Sequence, residues 1–177
     1  MATVVPWETG NVFGPRTAVP TKGEVIGRLL KVAKRPLLIV GAKILEEKLD
    51  GRSYLSYVIE LSKSRLIPVI ATAHTLKPLS DSGLQLTPMG LVEITDRLRD
   101  SGWSLDGKGP PDLVIFAGIT YRLESQMLST LKHFATHLKT VSLDRYYQPN
   151  ADFSFLNLDQ KIWVENLDKV LQVLKPQ

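Results

Sequence analysis

The chain has 177 residues, 44% of them hydrophobic and 23% charged, and its 22 basic and 18 acidic side chains leave a net charge of +4. That length suits one domain burying roughly 70% of its unfolded surface. The sequence has no cysteine, which excludes disulfides, Cys-based zinc sites, a Cys nucleophile and thiolate-held iron–sulfur clusters.

Any redox role would therefore need an organic cofactor, or a partner that carries the metals. No apolar run approaches the ~20 residues of a membrane span and no basic-then-apolar signal opens the chain, so a cytoplasmic protein without membrane contact is expected. Nucleic-acid binders gather Lys and Arg on one stripe. Here they are scattered, with Lys34-Arg35 the densest pair of the first half, and no nucleic-acid partner is expected.

Residues 1–20 hold Pro6, Gly10, Gly14, Pro15 and Pro20, with Trp7 and Phe13 as lone aromatics. This composition opposes regular helix. It predicts an extended arm lying on the domain or on a partner, a disordered terminus being the alternative, followed by a single domain over 21–177. Thr21 and Glu24 have capping-box spacing. Val25, Ile26, Leu29, Leu30 and Ala33 then recur at helical spacing.

Pro36 stops that helix, and Leu37 to Val40 run apolar without a break up to Gly41. Such a run suits a strand buried on both faces of a parallel sheet, and Gly41 permits a sharp turn at its carboxyl end. A second helix is predicted over about 52–64, with Leu55, Val58, Ile59 and Ser62 on one face, and a second buried strand over 67–71. Thr72 to Thr75 and Pro78 to Gly83 read as loop. Thr87-Pro88 reads as the N-cap and N1 of a helix carrying Leu91, Ile94 and Leu98 inward.

Asp112 to Ala117 is the third strand, closed by Gly118. Its partner helix, about 121–137, is expected to bury Leu123, Met127, Leu128, Leu131, Phe134 and Ala135. Lys139 to Leu143 is the fourth strand, Tyr146 to Asn150 a loop, and a terminal helix starts near Asp159, a short strand over 161–164 being the alternative. Strands alternating with helices predict an α/β fold, a Rossmann-like open parallel sheet with helices on both faces, similar to FAD/NAD-binding domains.

Open α/β sheets place ligands at the carboxyl ends of their strands. The loops there offer Lys43, Thr72, His74, Tyr121, Asp144 and Arg145 as converging polar groups, and Gly41, Ala42 and Gly118 as backbone approaches. The first strand does not end in Gly-x-Gly-x-x-Gly, and no acid for a ribose follows the second, so a standard NAD site is not expected, and no Walker A sequence is present. A looser flavin or nucleotide pocket of strand-end amides is the functional alternative, and glycines needed only for turning are the plain one. His74 is the acid/base candidate by position, though a lone loop His commonly serves only as a hydrogen-bonder. His133 and His137 stand four apart, but no third ligand accompanies them and no metal site is expected. The carboxylates read as solvated helix faces, and no catalytic residue is assigned.

Several runs together resemble one family. They are Pro6-Trp7 with Asn11 and Gly14-Pro15, Lys34 to Gly41, Tyr121, Ser125-Gln126, Leu128-Ser129, Leu131-Lys132, and Tyr147 to Ala151. Over nearly its whole length the chain is similar to the epsilon subunit of the archaeal carbon monoxide dehydrogenase/acetyl-CoA decarbonylase-synthase complex. Its Arg35 to Gly41 opening also resembles the central domains of thiamine-diphosphate enzymes, some of which bind FAD. The narrower resemblance implies a small accessory subunit on a large alpha subunit, in an α2ε2 assembly. The nickel and iron–sulfur centre that interconverts CO and CO2 then lies in the alpha chain. Structural stabilisation and FAD-linked electron transfer are the two roles it implies, with no catalytic residue to carry over and with self-association left open. A partner-binding role would use Trp7, Phe13, Tyr146 and Tyr147 as aromatic anchors, ordinary packing being the alternative.

Overall fold

The computed structural model describes residues 10–49 and 51–175. Trp7, one of the expected anchors, lies outside them. In chain order the described elements are β1 (Val19–Pro20), α1 (Gly23–Val32), β2 (Pro36–Val40), a 3-10 turn (Ala42–Leu45), β3 (Lys48–Leu49), β4 (Arg52–Ser53) and α2 (Tyr54–Arg65). There follow β5 (Val69–Ala71), α3 (Ala73–Ser80), β6 (Leu86–Pro88), α4 (Leu91–Leu98), β7 (Leu113–Ala117), α5 (Tyr121–Phe134), β8 (Lys139–Ser142), β9 (Phe153–Ser154) and α6 (Gln160–Leu174).

Seven strands form one sheet in the order β1-β9-β8-β7-β2-β5-β6, and every neighbouring pair is parallel. β3 and β4 form a small antiparallel pair apart from it. From β2 the chain winds outward through β5 and β6; from β7 it winds the other way. The switch point therefore falls between β2 and β7, which pair along five positions from Pro36↔Leu113 to Val40↔Ala117.

Alternation along the strands divides the core in two. Leu38, Val40, Ile115 and Ala117 join Ile26, Leu30, Val58 and Trp163 on one face, covered by α1, α2 and α6. Leu37, Ile39, Val114 and Phe116 join Ile94, Leu98, Leu128 and Leu131 on the other, covered by α4 and α5. The expected Rossmann-like architecture, an open parallel sheet with helices on both faces, is what the chain forms. α6 begins where the sequence placed it, with Asp159 accepting from the Ile162 amide at 2.9 Å.

Other expectations are corrected. The N-cap of α1 is Lys22 without a side-chain cap; the first helical amide, Gly23 N–H, instead donates to Asn166 Oδ1 of α6 at 2.8 Å. Residues 73–80 are helix, with Pro78 inside it. Proline forfeits one helical hydrogen bond, and the burial of Thr75 and Leu79 on the sheet side keeps the short helix in place. Thr87-Pro88 belongs to β6, where the missing proline N–H is harmless at a sheet edge; Gly90 is the N-cap of α4. On α5 the buried residues are Glu124, Leu128, Leu131 and Lys132, and the stripe continues to Ala135 just past the helix. Leu123 and Phe134 lie beside that stripe and are exposed, Phe134 beneath the Arg99 guanidinium at 5.1 Å.

Among the described residues no helix is long and apolar enough to cross a membrane.

Candidate functional site: the strand-end crevice and the clamped arm

At the switch point β2 and β7 end in glycines that touch. A Cβ on Gly41 would stand 2.5 Å from the Gly118 carbonyl oxygen. Gly118 itself has φ +65° and no room for a side chain against Ile44. Gly41 is extended, with φ −107°, so close approach rather than a sharp turn requires glycine there. The Lys43 amide then donates to the Gly118 carbonyl at 2.9 Å, folding residues 42–45 across the strand ends.

Asp144, just past β8, closes this corner. Its carboxylate accepts from the Gly118 amide at 2.9 and 3.1 Å and from the Tyr54 hydroxyl of α2 at 3.1 Å. Glu124, from the first turn of α5, is fully buried beside it and takes a hydrogen bond from Gln148 Nε2 at 3.2 Å. Its other oxygen has no well-formed hydrogen bond. Burial, and then the Asp144 charge, push the Glu124 carboxyl well above the usual carboxylate range. Burial likewise raises Asp144, to about 6, against the pull of the Gly118 amide and the Tyr54 hydroxyl. Trp163 walls the corner, its indole donating to the Leu143 carbonyl at 2.8 Å and its ring edge meeting Tyr54 at 5.0 Å.

What remains open is a cavity of about 80 Å³ bordered by Lys43, Glu47, Tyr121, Asp144, Arg145 and Tyr146, among others. Of the expected converging groups, Lys43, Tyr121, Asp144 and Arg145 come together. Thr72 and His74 do not: Thr72 Oγ1 donates to the Val40 carbonyl at 3.1 Å, and His74 is exposed on the first turn of α3. Gly41, Ala42 and Gly118 lie under the crevice, but the Gly118 amide already faces Asp144. A pyrophosphate needs free amides and positive potential at a strand end. The engaged amide, buried Glu124, half-buried Asp144 and Glu47 do not fit a dinucleotide here.

Sequence reasoning missed Glu124, although its i, i+4, i+7 relation to Leu128 and Leu131 puts a carboxyl on the buried stripe, the legible sign that it is not solvated. The site can hold a proton between two adjacent carboxyls. Among the described residues no group of three or more His, Cys, Asp or Glu is placed to hold a metal ion. His133 is otherwise engaged, with Nδ1 2.7 Å from the Ser129 carbonyl and Nε2 2.8 Å from the Phe13 carbonyl.

That second contact belongs to a clamp. Residues 11–18 run over α5 without helix or strand. Buried Lys132 donates to Asn11 Oδ1 and to the Val12 carbonyl, both at 2.6 Å. Asn150 takes the Val12 amide at 3.0 Å and donates to the Gly10 carbonyl at 3.2 Å. Arg16 pairs with Asp152 at 3.0 Å, and the Ala18 amide donates to the Pro149 carbonyl at 3.0 Å. The arm ends as β1, paired with β9. Tyr147, expected as a partner anchor, is corrected: it is fully buried, and its hydroxyl donates to the Ala18 carbonyl at 2.7 Å. The Tyr147 to Asn150 run is thus an internal fastener. Replacing Tyr147 with phenylalanine should cost about 1 kcal/mol in urea unfolding, the worth of one buried hydrogen bond, and should speed proteolysis within residues 10–18.

The backbone of Phe13 is fastened while its ring is 95% exposed, and Tyr146 is 46% exposed with the Arg145 guanidinium 4.7 Å above it. A doubly wound parallel sheet, a switch-point corner closed by its own carboxylate and an arm strapped along one helix define a Rossmann-like α/β chain. Residues 1–171 match the family described as CO dehydrogenase beta subunit/acetyl-CoA synthase epsilon subunit, and the chain belongs to that family. It is 38% identical over 168 residues (94% of each chain) to the acetyl-CoA decarbonylase/synthase complex subunit epsilon of Methanothermobacter thermautotrophicus. It is 42% identical over 157 residues to the subunit of the same description from Methanothrix soehngenii, covering 87% of this chain and 81% of that one. With subunit epsilon 1 of that complex from Archaeoglobus fulgidus it shares 38% over 177 residues, 97% and 93% of the two chains.

Proposed function

We propose that this chain is an accessory, non-catalytic subunit that stabilises the CO dehydrogenase alpha subunit of an acetyl-CoA decarbonylase/synthase complex, in an α2ε2 arrangement. The observation that carries this reading is Phe13. Its backbone is held in place by His133 and by the bonds made to Val12, yet its ring is 95% exposed. A large aromatic presented on a pre-ordered backbone loses little freedom on docking and is the kind of residue that anchors interfaces. The names of the relatives give the complex, and the choice of the alpha subunit as partner rests on the resemblance noted in the sequence. The absence of cysteine leaves cluster ligation and CO chemistry to that partner.

The test is anaerobic size-exclusion chromatography of the full chain with the alpha subunit of the same organism. Co-elution is expected, and Phe13→Ala should weaken the association about tenfold, on the order of 1.4 kcal/mol. Two proteins that elute separately at micromolar concentration would sink the reading. Flavin-linked electron transfer, the other role that the resemblance implies, requires the Gly118–Asp144 corner to open. FAD whose fluorescence is quenched on mixing with the complex, but not with the alpha subunit alone, would bring that role back.

A further inference from the structure

A cavity larger than the strand-end crevice lies at the opposite edge of the sheet. About 400 Å³ opens at the amino ends of β2, β5 and β6, walled by the loop from Leu105 to Pro111. That volume is in the range of small-molecule sites. Its apolar lining includes Leu37, Pro68, Leu86, Leu105 and Pro111, and three cations, Lys34, Arg35 and Arg65, stand around it.

Two of the three cations, Arg35 and Arg65, are placed rather than loose. Arg35 lies against Gly109: a Cβ there would come within 2.6 to 2.8 Å of the guanidinium carbon and both terminal nitrogens. Gly109 has φ +123°, a conformation favouring glycine. Arg35 also donates to the Lys108 carbonyl, and Arg65 donates to the Leu30 carbonyl at the end of α1. A guanidinium has five N–H donors, so both retain donors for an oxyanion. Lys34 is exposed, and no hydrogen bond or ion pair of its ammonium occurs among the described residues. The single carboxylate of the lining, Asp106, turns to its own loop and accepts from the Lys108 amide at 3.0 Å and the Ser104 hydroxyl at 3.2 Å.

Leu66 is a further sign. It lines the same cavity, is 77% exposed, and caps α2 in the left-handed conformation, with φ 52° and ψ 42°. It is the one described non-glycine residue with positive φ. Glycine would take that cap without steric cost. A strained, outward leucine beside an apolar cavity points to a contact made by that side chain.

We propose that this amino-edge cavity binds a small amphipathic anion, an apolar body carrying one phosphate or carboxylate. The oxyanion sits among Lys34, Arg35 and Arg65, and the body lies on Pro68, Leu86 and Leu66. This assignment is independent of the partner contacts of Phe13.

The experiment is a ligand titration of the uniformly 15N-labelled full chain, followed by amide shifts, with phenyl phosphate and benzoate as probes and phenol and inorganic phosphate as half-probes. Saturable shifts of the Leu66, Gly109 and Leu105 amides are expected with phenyl phosphate or benzoate, at a Kd on the order of 1 mM for a fragment of this size. Which of the two binds tighter identifies the headgroup. Lys34→Gln should weaken binding about tenfold, one decade being the usual loss for a charge-assisted contact. Leu66→Gly should weaken binding while leaving Tm unchanged or higher, which separates loss of contact from loss of fold. Shifts that do not saturate, shifts confined to the carboxyl edge, equal binding of phenol and phenyl phosphate, or a Lys34→Gln chain that binds as the parent does would each overturn the assignment.

Discussion

Between pH 4 and pH 6 the unfolding free energy of this protein is expected to fall by up to about 3 kcal/mol as the solution is made less acidic. The cause is Asp144, half-buried at the strand-end corner, whose carboxyl loses enough hydration there to be raised to about 6. An ordinary unfolded aspartate titrates near 3.9. Between those values the folded state holds a proton that the unfolded state has released, so stability declines with rising pH. The contribution is fully present below about pH 4, is lost as pH rises through 6, and is constant above that. Two pKa units, at about 1.4 kcal/mol each, set the size. Glu124 is raised by the same burial and then by the Asp144 charge, so it extends the decline in the same direction. Urea titrations at pH 4.5 and pH 7.5 measure the difference. Glu124→Gln should be about 1–2 kcal/mol more stable than the parent at the higher pH, the scale of one poorly satisfied buried group, and equal to it at the lower. A parent protein more stable at pH 7.5 than at 4.5, with Glu124→Gln no better at either, would contradict the shared-proton corner.

The second large effect is Gly23→Ala, which should destabilise the chain by about 3 kcal/mol. Exchanging glycine for alanine inside a helix ordinarily gains up to about 1 kcal/mol. Here the sign reverses because α1 lies directly on α6. The added Cβ would stand 1.9 Å from the Asn166 carbonyl oxygen, and backbone cannot swing aside as a side chain can. Separating the helices would also lengthen the bond from the Gly23 amide to Asn166 Oδ1, now 2.8 Å. One turn on, Gly27→Ala would press on Val173 Cβ at 2.7 Å and on the Val170 carbonyl oxygen at 3.1 Å, neither of which a rotamer change can move away, and about 2 kcal/mol is expected, within the usual cost of overpacking. Urea midpoints of the single variants check both values. Either variant at or above the parent's stability would show that the two helices do not pack this closely.

Much of this fold was legible in the chain. Leu37 to Val40 and Leu113 to Ala117 are apolar at every position because they are central strands covered on both faces, and that pattern survives translation into structure. The short strands were not legible. Val19–Pro20, Leu86–Pro88 and Phe153–Ser154 are two or three residues long, too few to show a period; β9 is held by the longer β8, while β1 and β6 pair with strands no longer than themselves. Thr87-Pro88 obeyed a helix-start rule that a sheet edge satisfies equally well. At the site, the glycines and Asp144 were placed correctly at the strand ends, but their mutual contact could not be read, since it depends on which two strands lie side by side. Tyr147 looked like an anchor because its composition signal is the same whether the ring meets a partner or this chain's own Ala18. The cation cluster of the amino edge was only half visible: Lys34-Arg35 stands out as a basic pair, but Arg65 is far along the chain and joins it only through the sheet.

Both outer strands of the sheet end in proline, Pro20 in β1 and Pro88 in β6. A proline has no N–H to offer, and strands of two or three residues give a second chain little to pair with. The sheet is therefore poorly suited to growing by addition of a strand from another molecule, whether a partner or an aggregating copy. Assembly has to proceed through side chains on helices and arm, whose identity can be specific to one partner. A chain held at high concentration inside a large complex is protected by this from the fibre-like pairing that open sheets invite.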